Sequence, residues 1–223
     1  MLALRDTVRG VLTRALIDTA FPGAIAVVGN RSGELVAVAV GRLTWGEPAM
    51  VDRHTLWDLA SLTKVMGTTV AIMRLVDAGK VDVDAPVQRY LPDWTGQGKS
   101  AVTVKQLLTH SSGLPAFKPY DRITTDRDSI DKLMFGTPLD STPGRAIIYS
   151  DIGGYLLGRI VARVSGQSFD GYVEAVYQSL GMTETMFTPP ASLYPRVAPT
   201  EIDSLRGGLV RGKVHDERAY YVG

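Results

Sequence analysis

Near residue 55 the chain changes texture, and that change limits its fold more than any other feature. Before it stand two short β-rich runs, "AIAVV" and "LVAVAV", separated by "GNRSGE". Runs of this kind around Asn, Ser and Gly predict an antiparallel hairpin. After it, apolar residues recur at helical spacing: Leu62, Val65, Met66, Thr69, Val70 and Met73, with Gly79 closing the last turn. Thr103 and Gln106 form a capping-box pattern ahead of "LLTH", which Gly113 and Pro115 end. Further helices are expected in "TDRDSIDKLMF" with Thr125 as cap, in "DIGGYLLGRIVARVSG" closed by Gly166, and in "SFDGYVEAVYQSLGM" with Ser168 as cap. A pair of strands followed by about five helices predicts an α+β architecture. The expected division is residues 1–55 as part of a sheet domain and 56–223 as a mainly helical one.

The first residues, "MLALRDTVRGVLTRALIDTA", read as an amphipathic surface helix with Leu4, Val8, Val11, Leu12 and Ala15 on one face. Arg5, Asp6, Arg9 and Arg14 interrupt any apolar core, so this is not the pattern of a signal peptide, and the compartment stays open. The longest apolar stretches fall far below the ~20 residues that span a bilayer. Net charge is +1, from 24 basic and 23 acidic residues, which provides no electrostatic reason to expect nucleic acid or an anionic membrane as partner. Without cysteine there is no disulfide, thiol catalysis or Cys-based metal site. His54, His110 and His215 stand apart without ligand spacing, so neither a metal site nor a cofactor is expected.

Chemistry is concentrated in "WDLASLTKVM", residues 57–66. Ser61 and Lys64, three apart, share one face of a helix. Trp57, Leu59, Leu62, Val65 and Met66 surround them, and a desolvated lysine can lose its charge and take a proton from a neighbouring hydroxyl. Equally, Ser61 can be a helix cap and Lys64 a surface residue. Ser129 and Lys132 repeat the S-x-x-K spacing on a charged face and read as solvated. In "IIYSDIGGY", Tyr149 and Asp151 stand at a helix entrance, a phenol for proton relay and a polar group for a substrate amide. Alone they read more readily as a core tyrosine with Asp151 as N-cap. "GQGKS" (96–100) lacks the first glycine and the preceding strand of a phosphate loop, and the absence of G-x-S-x-G speaks against an α/β-hydrolase nucleophile elbow. His110, in "LLTHSSGLP", reads as a structural histidine before a tight turn.

Together, "LWDLASLTKVMGTTVAIMRLVDAGKVDVDAPVQRYLP", "VTVKQLLTHSSGLP", "PGRAIIYSDIGGYLLGRIVARVSG" and "LGMTETMFTPP" resemble the serine β-lactamase and penicillin-binding family, in its class C-like branch with related esterases and D-peptidases. The resemblance covers roughly residues 20–223. It implies the β-lactamase/transpeptidase fold, with Ser61 as the acylated nucleophile, Lys64 as its activating partner and Tyr149 as base and then acid. Asp151 falls where the family's Tyr-x-Asn element has asparagine, a substrate-binding position. A carboxylate there favours the Lys64 ammonium, opposes its service as a base and repels a substrate carboxylate, which implies an esterase or peptidase role over an efficient β-lactamase.

The family's third element, Lys-Thr-Gly or His-Thr-Gly on a later strand, has no match; "RGG" (206–208) comes too soon after Tyr149. The resemblance thus implies a C-terminally incomplete chain with one oxyanion donor, Ser61 N–H, and the other on the missing strand. The expected activity is a serine hydrolase acting on a small-molecule ester, amide or β-lactam. Its alternatives are a penicillin-recognising sensor that acylates without turnover and an inactive fragment. A bare hairpin predicts self-association or a complementing segment.

Overall fold

The computed structural model describes residues 1–204 and 206–222. The chain forms two compact units, residues 1–58 with 188–215, and residues 59–187 with the segment from Asp216 onward.

In the first unit, helix α1 (Leu2–Ile17) precedes strands β1 (Gly23–Asn30) and β2 (Gly33–Gly41), which pair antiparallel as the two β-rich runs require. The turn is fixed locally: Asn30 Oδ1 accepts the Ser32 N–H at 2.8 Å, and Gly33 takes φ 121°. Alternation along β2 puts Val36, Val38 and Val40 on one face, where Val8 and Leu12 of α1 and Phe21 cover them. The hairpin face expected to be bare therefore has a helix over it. On α1 the covering stripe is narrower than expected, since Val11 is 52% exposed. The opposite hairpin face contributes Ile25 and Ala39 to a cluster with Leu43, Val51 and Ala198, while Val27 remains exposed.

The 188–215 segment joins this unit through backbone bonds. Leu56 N–H donates to Arg196 O and Ala198 N–H to Leu56 O, both at 2.9 Å. A short hairpin follows, β3 (Ile202–Asp203) with β4 (Gly208–Leu209), and it contains the "RGG" stretch. Arg206, whose side chain is almost fully buried, anchors it, donating to Asp203, Glu201 and the carbonyls of Val214 and His215.

The second unit is helical. A π-helical stretch (Lys64–Thr69) runs into α2 (Val70–Asp77), followed by α3 (Val104–Leu108), α4 (Arg127–Gly136), α5 (Asp151–Ser165), α6 (Phe169–Ser179) and α7 (Glu217–Val222). Helix α5 packs against α2, α3, α4 and α6. Its Ile152, Leu156, Leu157, Ile160 and Val161 are buried with Ile72, Leu75, Trp94 and Leu107. Caps decide where these helices begin and end. Thr103 and Gln106 make the full capping box of α3, Ser150 and Ser168 cap α5 and α6, and Gly166 closes α5 in the left-handed conformation. The cap of α4 is Asp126, not Thr125: its carboxylate accepts the Ser129 N–H at 2.9 Å, and Thr125 lies one residue too early to reach it.

The largest departure from the expected periodicity is at residues 64–69. There the helix widens by a residue per turn, with Thr69 Oγ1 donating to Lys64 O at 2.8 Å. This changes the phase of the buried face. Gly67, Thr68, Ala71, Ile72 and Leu75 point inward, whereas Leu62, Val65 and Met73 are more than half exposed.

Candidate active site

Ser61 is exposed in the turn that opens the π-helical stretch, and its carbonyl accepts the Lys64 N–H at 3.1 Å. Ala60 before it has φ 49°, a left-handed conformation that costs a residue with a Cβ and that clusters at functional sites. Lys64 comes one turn later on the same side, and its Nζ lies 3.4 Å from Ser61 Oγ.

The second half of the site is the entrance to α5. His110, itself at φ 56°, accepts the Ser150 N–H on Nδ1 at 3.0 Å and the Ile148 N–H on its carbonyl at 2.8 Å. Its ring lies 4.6 Å from that of Tyr149. Ser150 Oγ donates to Pro115 O at 2.7 Å, accepts from Gly153 N–H, and so locks the first turn of α5. These bonds hold Tyr149, which is half exposed, with its ring centroid 4.8 Å from Lys64 Nζ. They also hold Asp151 so that Oδ1 meets Lys64 Nζ at 2.8 Å. Gly154 makes the approach possible, because a Cβ there would stand 3.3 Å from Lys64 Cε.

Ser61, Lys64, Tyr149 and Asp151, far apart in sequence, thus meet around one ammonium. Asp151 is the first residue of α5 and not its cap; Ser150 has that task. The other S-x-x-K copy is unrelated: Ser129 and Lys132 lie on α4, with Lys132 exposed. Sequence reasoning missed Arg218 of α7. This side chain is almost fully buried and donates from Nη2 to Asp151 Oδ2 at 2.9 Å and to Asp216 Oδ2 at 2.7 Å. Its guanidinium lies 4.2 Å from the Phe117 ring centroid. No local pattern in the sequence pointed to it, because it meets Asp151 across 67 residues.

Burial pulls the Lys64 ammonium toward losing its proton. Hydrogen bonds to Asp151 and Tyr149 and the Asp151 charge outweigh that and hold its pKa above the ordinary lysine value. Burial pushes the Asp151 carboxyl up, but Lys64 and Arg218 together hold it below the usual range. His110 is pushed down by burial and by the Lys64 charge, consistent with a neutral ring accepting on Nδ1. Lys64 therefore rests as the ammonium and Asp151 as the carboxylate. Both oxygens of the Asp151 carboxylate are engaged, by Lys64 and by Arg218, and among the described residues no group of three or more His, Asp or Glu is placed to hold a metal ion.

Comparison with known proteins returns one consistent neighbourhood. A family model described as Beta-lactamase matches residues 5–220. A putative D-alanyl-D-alanine carboxypeptidase of Escherichia coli strain K12 is 34% identical over 208 residues, covering 81% of this chain and 48% of its own length. An N-acetylmuramyl-L-alanine amidase of Bacillus subtilis strain 168 is 32% identical over 240 residues, covering 92% of this chain and 54% of the relative. The chain spans about half the length of the curated relatives it matches. Among solved structures, a class C beta-lactamase superposes with a TM-score of 0.81 at 23% identity, covering 98% of this chain and 59% of the other, a likeness of fold. The α+β architecture is thus that of the β-lactamase/transpeptidase fold.

Proposed function

The chain belongs to the beta-lactamase family, and from that premise we propose that it is a serine hydrolase that cleaves ester or amide bonds through an acyl-enzyme on Ser61. The observation that carries this reading is the 3.4 Å approach of Ser61 Oγ to a lysine that also faces a tyrosine ring. A nucleophile, a base beside it and a third group orienting the base are what acyl transfer requires.

In the reacting form Lys64 is neutral. Its amine takes the Ser61 proton as Oγ attacks the substrate carbonyl carbon. The tetrahedral intermediate collapses, the C–O or C–N bond breaks, and the leaving group receives a proton from the Tyr149 phenol, which Lys64 replenishes. Water then attacks the acyl ester, yields its proton by the same route and restores Ser61. Asp151 works against the first step, because it stabilises the ammonium. The reactive fraction therefore rises with pH.

The relatives named for D-alanyl-D-alanine carboxypeptidase and muramyl-alanine amidase activity support peptide-like amides as one substrate class. The Asp151 charge favours neutral acyl groups over those bearing a carboxylate. Side-by-side kcat/KM values for a short p-nitrophenyl ester, an acyl-D-alanyl-D-alanine peptide and a penicillin test this. The ester should be hydrolysed fastest, and a clear advantage for penicillin would contradict the ranking.

The Lys64–Asp151 pair also favours a second reading, acylation without turnover, because deacylation needs the same base. An acyl-enzyme isolated by gel filtration and followed by intact mass separates the two. Release within minutes supports the hydrolase, and persistence for hours supports the sensor.

A further inference from the structure

Arg218 adjoins this site without touching Ser61, and neither the proposed reaction nor the family resemblance assigns it a task. Four charges alternate in a row: Lys64, Asp151, Arg218 and Asp216, joined by contacts of 2.8, 2.9 and 2.7 Å. Their formal sum is zero, which is how a guanidinium only 4% exposed avoids a large desolvation cost. One carboxylate oxygen of Asp151 faces Lys64 and the other faces Arg218. We infer that Arg218 is a positioning residue for the Ser61–Lys64 pair, acting through Asp151: it occupies one oxygen, fixes the rotamer that directs the other at Lys64, and offsets the carboxylate's hold on the lysine proton. This inference rests on Lys64 being the base.

The arrangement is built rather than incidental. Phe117 stacks against the guanidinium. Asp216 is held in turn, accepting the Ala219 N–H at 2.8 Å on its side chain and the Tyr220 N–H at 2.9 Å on its carbonyl. The Asp151 N–H donates to Ala116 O at 3.1 Å, so the loop carrying Phe117 also fixes Asp151. The groups that set the charge state of Lys64 are Asp151 and Tyr149, with His110 within its field. Those that set Arg218 are Asp216 and Asp151. Helix α4 and the turn Tyr120–Arg122 also pack against α7. Those elements carry the charged residues Asp121, Arg122, Arg127, Asp128, Asp131 and Lys132, while the groups that hold Arg218 charged are Asp216 and Asp151.

The sign of the effect follows from the order of charges. Without Arg218, Asp151 is a stronger anion for Lys64, and Lys64 holds its proton to higher pH. Without the Asp216 charge, Arg218 turns wholly to Asp151, and Lys64 releases its proton earlier.

The test is a direct titration of Lys64 by NMR with 13Cε-labelled lysine, the signal assigned by Lys64→Arg, alongside the pH profile of Ser61 acylation by a fluorophosphonate. Arg218→Gln should raise both midpoints by about one pH unit, a roughly tenfold loss of acylation rate at fixed pH below them. Arg218→Lys should restore most of the shift, and Asp216→Asn, which keeps a capping side chain, should lower both midpoints. In an Asp151→Asn background Arg218→Gln should move neither. Unmoved midpoints in folded Arg218→Gln, or a shift that survives in Asp151→Asn, would overturn the inference. If Arg218→Gln does not fold, Asp216→Asn decides by the direction of its shift. Should Ser61 take no label while the Lys64 titration moves as stated, the hydrolase reading fails and the Arg218 coupling stands.

Discussion

At the residue scale the balance at Lys64 decides the behaviour of the site. Burial is the largest single influence on it and acts to lower its proton affinity, while Asp151 provides the main opposition. Replacing Asp151 by Asn removes that opposition and leaves desolvation in control. Asp151→Asn should therefore move the acidic limb of the pH–rate profile to lower pH by at least one unit and raise kcat/KM at neutral pH about tenfold. A limb that stays or moves up would mean that Asp151 does not govern Lys64 in solution. Ser61, Lys64, Tyr149 and Asp151 were singled out from two short patterns together with the family resemblance, and the structure brings their side chains together around the Lys64 ammonium. Arg218 was not singled out, because it reaches Asp151 across 67 residues and no spacing rule links them. The left-handed backbone of Ala60 was hidden for another reason: strain at a non-glycine residue leaves no compositional trace.

At the scale of elements, most helix ends were legible, the start of α4 excepted, and the phase of the helix that follows Lys64 was not. Capping serines, the Thr103–Gln106 box and Gly166 act over three or four residues, so sequence alone locates them. The π-helical turn at 64–69 depends on tertiary packing, with Gly67 close to Val173 and Tyr177 of α6, and it resets which residues of α2 face inward. The segment that delivers Tyr149 has its own fixed point. Gly113 at φ 83° accepts the Asp140 N–H at 2.8 Å, and a Cβ on it would stand 2.1 Å from the Ser141 carbonyl oxygen. Ala there must adopt a left-handed backbone and displace the backbone at Ser141. Gly113→Ala should destabilise by more than about 3 kcal/mol. Thermal unfolding should show this as a drop of roughly 6–12 °C for a chain of this size. A drop under 2 °C would mean that the 110–115 and 140–148 segments are not locked together as described.

At the scale of the whole molecule, the fold class was legible from the order of β-rich and helical segments. The assembly of 188–215 with the N-terminal hairpin was not. That segment is held by two-residue strands and by Arg206 and Arg211 reaching carbonyls and carboxylates, contacts that carry no periodicity. Charge gives the whole chain a pH window. Asp151 and Asp170 have folded pKa values held below the usual 3.8, and Lys64 is held above 10.5. The aspartates contribute stability that is present above 3.8 and lost as pH falls through their folded values. Lys64 contributes stability that is present below 10.5 and lost as pH rises through its folded value. Lys99, buried against Trp94 and lowered by desolvation, has the opposite sense and regains stability as it deprotonates below 10.5. Urea midpoints should stay near a plateau between about pH 4 and 9 and fall on the acid side, less steeply in Asp151→Asn. An acid limb of unchanged slope in that variant would show that Asp151 is not an ion-pair partner in the folded chain.

The central claim is that Ser61 is the nucleophile, and covalent labelling reaches it most directly. The chain is incubated with a fluorophosphonate and with a fluorescent penicillin, digested, and the adduct located by tandem mass spectrometry. A single adduct on Ser61 is predicted, abolished in Ser61→Ala and strongly slowed in Lys64→Met. Ser61→Ala should keep its unfolding midpoint, because the hydroxyl contacts Lys64 Nζ and caps no helix. An adduct on Ser111, Ser112 or Ser129 with Ser61 unmodified, or labelling that survives Ser61→Ala, would contradict the account.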